Sequence, residues 1–271
     1  MSTVAIVFAV LLALVLLALF LRAWGIRQFR RAVAVQHEAY RRGNYQGQLQ
    51  AAETFKKSTP PAYLYFRGAA LLELGRLKEA EECLRQSSWW RYDLHNSALC
   101  EDELGQVLLE QQRYDEAITS FASGIPDWPQ RGGCFRGIAA TLLRQGAQKT
   151  EALRWARLAV EIDKSHQGIA AGDHDLHPGE ARTWNLGQSL AVLAWAEAVN
   201  SGDAAEVERC LAKAFMLCPE ATVPARARVH YHAGRAWSAL GKTEESASQF
   251  ERAASLDPRG NYGRLAKAAT P

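Results

Sequence analysis

One short segment carries residue types that could bind a metal ion or transfer protons. Asp173, His174, Asp175 and His177 lie within five consecutive positions. Carboxylates and imidazoles together suit divalent ions of hard or borderline character. However, no second group of ligands with a recognisable spacing occurs elsewhere, and the neighbouring glycines are typical of a solvated turn. We therefore predict an irregular polar loop over 165–179 and no metal site, with metal binding through this loop as the alternative.

The rest of the sequence contains no recognised motif for nucleophilic or phosphate chemistry. A serine nucleophile elbow, a catalytic Cys–His signature and a Walker-type phosphate loop are all absent. His230 and His232 are two positions apart in a segment with helical periodicity, so they should point to different faces of a helix. The five cysteines are scattered without a CxxC pair, a pattern typical of reduced, buried thiols. We predict a protein that is not an enzyme and needs no cofactor.

The N-terminal part of the sequence predicts a membrane anchor. Val4 to Leu21 is an uninterrupted run of Val, Ala, Ile, Leu and Phe. Eighteen helical residues rise about 27 Å, close to the roughly 30 Å hydrocarbon core of a bilayer. A cleaved signal peptide is the alternative, but Ser2 and Thr3 supply no basic start and no small-x-small cleavage site follows. We predict a retained, single-pass transmembrane helix over 1–22.

Positive charge follows the apolar run directly and predicts the orientation of the anchor. Four arginines lie in or beside the segment 23–31. Without these four of its 32 basic residues, the chain has 28 basic residues against 29 acidic residues. By the positive-inside rule, the C-terminal part of the chain lies in the cytoplasm. Export to the envelope or periplasm is the alternative. The near-neutral remainder argues against nucleic-acid binding. The residues expected to flank the membrane are Arg22, Trp24, Arg27, Arg30 and Arg31.

After residue 28 the apolar positions follow a helical period, and the helices come in pairs. In the segment 98–129, Gly105 is followed by Tyr114, Ala117 and Phe121 at spacings that suit two packed helices. A small residue at position 105 lets the helices approach closely, and Phe121 fills the space beside it. Similar patterns recur along most of the chain, over 61–94 and 227–260 and more weakly over 29–60, 132–164 and 188–221.

This spacing resembles the tetratricopeptide repeat, a helix–turn–helix unit of about 34 residues. The resemblance implies an all-α fold, a right-handed superhelical solenoid of such repeats preceded by the transmembrane helix. We expect about four units over 29–164, about two over 180–260, and a C-terminal cap or tail over 261–271. Each unit would bury its core against its neighbours.

The resemblance also implies that the first helix of each unit lines a concave groove that accepts a protein or peptide. Arginine and tyrosine anchor interfaces strongly, and arginine pairs bidentately with carboxylates, so an acidic segment is an expected ligand at the C-terminal half. A charged face that binds nothing is the alternative. The groove positions carried over from the family hold His37, Tyr40, Tyr65, Asp102, Gln106, Arg136, Arg144, Arg228, Tyr231 and Arg235, together with Val33 and Glu73.

A second candidate contact is the pair Trp89 and Trp90, which lies in an insertion between the second and third units. Adjacent residues on a helix cannot both face one core, so at least one ring should be exposed to a partner. Taken together, the patterns predict a membrane-tethered, non-catalytic scaffold or adaptor that recruits or assembles proteins at the cytoplasmic face. The alternatives are self-association, an exported envelope assembly factor, and an enzyme or metal-dependent regulator that uses the 165–179 loop.

Overall fold

The computed structural model describes residues 27, 30–57, 59–88, 94–127, 129, 132–165, 178–219 and 221–270. Every regular element within these ranges is a helix, so the predicted all-α helical-repeat fold is confirmed. The predicted membrane span over 1–22, with Arg22 and Trp24, lies outside the described residues. No helix in the described part of the chain is long and apolar enough to cross a bilayer. Arg27, Arg30 and Arg31 are exposed to solvent.

The helices follow one another as pairs, and each pair packs against the next. In chain order they are α1 (30–41) and α2 (Tyr45–Ala52), α3 (Pro60–Glu73) and α4 (Leu77–Ser88), α5 (Leu94–Glu110) and α6 (Tyr114–Gly124), α7 (Gly132–Gln145) and α8 (Lys149–Ser165), α9 (Pro178–Asn200) and α10 (Ala204–Leu217), α11 (Val223–Ala239) and α12 (Thr243–Leu256), and finally α13 (Asn261–Ala269).

The turn between α3 and α4 shows how the sequence ends the first helix of a pair. Gly75 has a φ of 75°, in the left-handed region that favours glycine. Its N–H donates to Leu72 O and the N–H of Arg76 donates to Leu71 O, both at 2.9 Å. These two bonds form a Schellman motif, which satisfies carbonyls at the end of α3. The turn after α5 has the same bonds with Gln112 at the left-handed position, φ 61°.

The predicted close approach of helices at Gly105 is confirmed. A Cβ atom built on Gly105 would lie 2.6 Å from the ring of Phe121, and one built on Gly137 would lie 2.4 Å from the same ring. Phe121 is fully buried, so this ring fills the space between α5 and α7 that the two glycines leave. In the last pair, a Cβ atom built on Gly234 would likewise lie 2.6 Å from the ring of Phe250. Repeated small–large contacts of this kind set the spacing of the solenoid.

All five cysteines are free thiols, in agreement with their scattered spacing. Cys83 is half-buried and the other four are buried. Burial raises the pKa of Cys100 and of Cys218 to about 11, so these thiols are protonated and inert near neutral pH. They act as small apolar side chains of the core.

The two ends of the solenoid meet. The hydroxyl of Tyr45 at the start of α2 donates to Asp257 Oδ2, just after α12, at 2.5 Å. Glu73 Oε2 at the end of α3 accepts a hydrogen bond from the N–H of Asn261, at the start of α13, at 2.9 Å. Within the segment 261–271, expected to be a cap or tail, Asn261–Ala269 forms the helix α13, which also contacts the first repeats. This closure brings the first helix pairs against the last one.

Candidate functional site

The predicted groove residues lie on first helices of the pairs, as the repeat pattern implied. Their surroundings differ: His37 is exposed and Tyr65 half-buried, whereas Asp102, Gln106, Arg136 and Tyr231 are buried. These four buried side chains form part of the inner surface. We define the inner surface as the inward-facing side chains of α1, α3, α5, α7 and α11. Trp89 and Trp90 lie outside the described residues, so their predicted exposure stays a prediction.

The N-terminal half of the inner surface carries the buried acidic side chains Glu73 and Asp102, and the pKa of Glu73 is raised. Burial raises the pKa of Glu73 to about 7, although the hydrogen bond from Asn261 N–H and the charge of Arg228 act in the opposite direction. Burial also raises the pKa of the nearby Tyr40, and the charge of Glu73 raises it further. The phenol of Tyr40 therefore stays protonated, while Glu73 titrates near neutral pH.

The C-terminal half of the inner surface is basic. The positive charges of Arg136, Arg144, Arg228 and Arg235 all act on His232, which is buried. Burial holds the pKa of His232 well below its usual value, and the four guanidinium groups lower it further. The imidazole is therefore neutral at physiological pH. The charges of four arginines thus act on one histidine. Two of the arginines are on α7 and two on α11, and the segment 165–179 separates these helices in the sequence.

Two of these arginines are paired with carboxylates of the chain itself. Arg144 Nη1 donates to Glu110 Oε1 at 2.6 Å. Arg136 Nη1 donates to the hydroxyl of Ser189 at 3.0 Å and lies 3.8 Å from Asp163 Oδ2. The Ser189 hydroxyl in turn donates to Asp163 Oδ2 at 2.6 Å. An acidic ligand at either arginine would have to compete with these internal acceptors.

The remaining two arginines contact aromatic rings. Arg228 Nη1 donates to Gln188 Oε1 at 3.0 Å, and the guanidinium lies 4.6 Å from the ring centroid of Tyr262 on α13. Arg235 lies 5.0 Å from the ring centroid of Trp195. Within the described part of the chain, neither Arg228 Nε nor His232 Nδ1 has a hydrogen-bond partner. Cation–π contacts of this kind hold the guanidinium in place without consuming its hydrogen-bond donors.

The two histidines of α11 face different surroundings, as their spacing predicted. The ring of His232 stacks on Trp195 with centroids 5.8 Å apart, and the ring of His230 stacks on Phe215 at 5.1 Å. Among the residues that the structure describes, no group of three or more His, Cys, Asp or Glu side chains is arranged to hold a metal ion. The Asp173–His177 cluster lies outside the described residues.

Sequence reasoning missed the contacts that α13 makes with the inner surface. Tyr262 donates its hydroxyl hydrogen bond to Gln106 Oε1 at 3.2 Å, and Arg264 donates to the backbone carbonyls of Leu72 and Glu73. The repeat pattern stops before these residues, so it assigns them no face. The apolar spacing of Tyr262, Leu265, Ala266 and Ala269 was the available signal for a helix with one packed side.

Comparison with known proteins addresses the repeats directly. The family model described as "Tetratricopeptide repeat" matches residues 61–88 and 227–259, which correspond to α3–α4 and α11–α12. Both segments therefore resemble tetratricopeptide repeats in sequence. The repeats generally form non-catalytic modules for protein interaction. No curated protein matches the chain.

Several solved structures are similar to the chain at low identity. A double mutant of MamA RS-1 shares 16% identity with a TM-score of 0.43, covering 69% of this chain and 93% of that one. YrrB, described as a tetratricopeptide protein with an unusual peptide-binding site, shares 17% identity with a TM-score of 0.38, covering 80% and 96%. BtubC from P. vanneervenii shares 12% identity with a TM-score of 0.48, covering 79% and 88%.

Proposed function

We propose that this protein is a non-catalytic scaffold that binds a protein partner through the inner surface of its repeats. Tetratricopeptide proteins typically act as protein-interaction scaffolds. The observation that carries the proposal is that Arg228 and Arg235 lie on the rings of Tyr262 and Trp195, which both flank His232. The charges of Arg136 and Arg144 from a separate repeat act on the same imidazole. Arginines held beside aromatic rings and depleted of water are the kind of groups that dominate binding energy at protein interfaces.

Arg235 is the arginine best placed to contact a partner first. Its side chain is half-buried, and no carboxylate pairs with it among the residues that the structure describes. Trp195 holds the guanidinium, so little side-chain entropy would be lost when a carboxylate of the partner binds. We therefore propose an acidic segment as the ligand, with Arg235 as its entry contact.

Affinity capture with matched variants tests this proposal. Arg235→Glu should remove partners that the wild-type chain retains, because it reverses the charge at the entry contact. Arg252→Glu makes the same change at an exposed position of α12 and is the control. Equal capture by the wild type and both variants, with unchanged circular dichroism, would contradict the proposed binding face. Arg228 is unsuitable for this test, because a glutamate there would be buried beside Glu73.

We further propose that the scaffold is tethered to a membrane with its repeats in the cytoplasm. The support is the apolar run Val4–Leu21 and the arginines that follow it. Tethering would confine partners to the membrane surface and raise their effective concentration. This part of the proposal concerns location only, and the inner surface does not depend on it.

Cell fractionation tests the tether. Leu12→Arg with Leu16→Arg should move the full chain to the soluble fraction, since each central arginine costs about 2.5–3.5 kcal/mol in a membrane helix. Leu12→Ala with Leu16→Ala should sediment with membranes. Unchanged sedimentation of the arginine variant would refute the tether. A C-terminal fusion to a reporter that is active only after export should be inactive, and its activity would refute the orientation.

A further inference from the structure

The end of α3 and the start of α13 cap each other. Arg264 Nη1 donates to Glu73 O and its Nη2 donates to Leu72 O at 3.4 Å, so a cation lies on carbonyls at the C-terminal end of α3. In return, the Glu73 carboxylate accepts the N–H of Asn261 at the N-terminal end of α13. Both contacts pair a side chain with backbone groups that a helix end leaves unsatisfied, and the Arg264 cation lies at the helix end of negative partial charge. Gly75 leaves room for this contact, because a Cβ there would lie 2.8 Å from Arg264 Nη2.

Tyr262 extends the same contact to α5. Its hydroxyl donates to Gln106 Oε1 at 3.2 Å, and its ring lies 5.5 Å from the rings of both Tyr231 and His232. Burial raises the pKa of Tyr262 to about 12, so the phenol remains a hydrogen-bond donor. The first turn of α13 thus presents three groups to the N-terminal repeats: a backbone N–H, a phenol and a guanidinium.

The apolar contacts of α13 are with the last helix pair. Tyr262 and Ala266 belong to a small cluster with Ala227, Phe250 and Ala253 of α11 and α12, separate from the main core. Apolar packing therefore holds α13 to the last pair, whereas the contacts with α3 and α5 described above are hydrogen bonds. Water can replace such bonds at a small net cost, so this side of α13 can separate from the first repeats without loss of the main core.

We infer that the inner surface at α3 and α5 is a docking surface for a helical segment that presents an N-terminal N–H, a tyrosine and an arginine, and that α13 is its displaceable, built-in occupant. The inference deepens the proposed function, since it takes the inner surface as the binding face. A partner that uses the N-terminal half of this surface must displace α13. The acidic segment proposed above would contact the basic half, where Arg235 lies.

Binding of a peptide in trans tests the inference on the full chain. The probe is a fluorescent peptide with the sequence of residues 257–271, followed by fluorescence anisotropy. Arg264→Ala in the protein weakens the hold of its own α13, so the peptide should bind this variant about tenfold more tightly than wild type. Arg259→Ala removes an exposed arginine next to α13 and should bind the peptide like wild type. A peptide that itself carries Arg264→Ala should not show this tenfold gain in affinity for the Arg264→Ala protein.

A second measurement reports opening directly. The N–H of Asn261 is bonded to Glu73 only when α13 is docked, so its hydrogen exchange should be about tenfold faster in Arg264→Ala than in Arg259→Ala. If Arg264→Ala fails to fold, Tyr262→Phe removes only the hydroxyl bond to Gln106 and should show the same change in smaller degree. Equal peptide affinity for all variants, or no binding at all, would overturn the inference. Loss of capture in Arg235→Glu is a separate result and decides only the proposed function.

Discussion

Replacing Glu73 with glutamine should make the stability of the fold less sensitive to a rise in pH between 4.5 and about 7. Glu73 is buried where α3 meets α13, and its pKa is raised from 4.5 to about 7. In the unfolded chain the carboxyl loses its proton near pH 4.5, but in the folded chain it keeps the proton to about pH 7. The folded state therefore binds more protons in this interval, and the free energy of unfolding falls as the pH rises. Glutamine keeps an acceptor for Asn261 N–H and cannot ionise.

The size of the effect follows from the difference between the two pKa values. Each pH unit in the interval corresponds to about 1.4 kcal/mol, so the full loss for wild type is about 3 kcal/mol between pH 4.5 and pH 7. The difference in unfolding free energy, Glu73→Gln minus wild type, should therefore rise by that amount over the interval and stay level above it. Any constant offset between glutamine and a protonated glutamate cancels, because the prediction concerns the change with pH.

Urea denaturation at a series of pH values, followed by circular dichroism, measures this difference. Glu82→Gln removes an exposed carboxylate of α4 and is the matched control, expected to follow the wild-type pH profile. A Glu73→Gln curve that stays parallel to wild type from pH 5 to pH 8 would refute the reasoning. It would mean that Glu73 is hydrated or ionised in the folded chain, and hence that α13 does not cover it.

Two further predictions concern packing and the buried polar network. Phe121→Ala should lower the free energy of unfolding by about 3–5 kcal/mol, because it empties the space between α5 and α7 that Gly105 and Gly137 leave. A loss below about 1 kcal/mol in urea denaturation would contradict this packing. Ser189→Ala should cost about 1–3 kcal/mol, since it removes the hydroxyl that bridges Arg136 and Asp163 in a buried site. The exposed Ser123→Ala is its control, and equal losses for the two serine variants would count against the bridge.

The local parts of this fold could be predicted from sequence because neighbouring repeats determine them. Gly105 and Phe121 are close in sequence and recur in register, so their contact follows from helical periodicity. The same holds for His230 and His232, whose different faces follow from their spacing alone. The inner positions of Arg136 and Arg228 were also predicted, since the repeat pattern fixes which side of a first helix faces inward.

What covers the inner surface could not be predicted. The pattern expected Arg228 to face a ligand, whereas its guanidinium lies on Tyr262 of the same chain. Tyr45 and Asp257 are 212 positions apart and belong to no shared motif, so nothing in their local sequence predicts their hydrogen bond. Such a contact depends on the curvature accumulated over many helix pairs, and each pair contributes a small rotation that the sequence pattern does not specify.

The meeting of the two ends has a consequence for how this architecture can change in evolution. A solenoid with separate ends can gain or lose one repeat, because each unit contacts only its neighbours. Here the bonds from Tyr45 to Asp257 and from Glu73 to Asn261 require a fixed number of intervening helix pairs. Duplication of a single unit would carry Asn261 past Glu73, and both bonds would be lost together. The closed arrangement therefore fixes the number of repeats. The sequence within each repeat can still change without affecting that number.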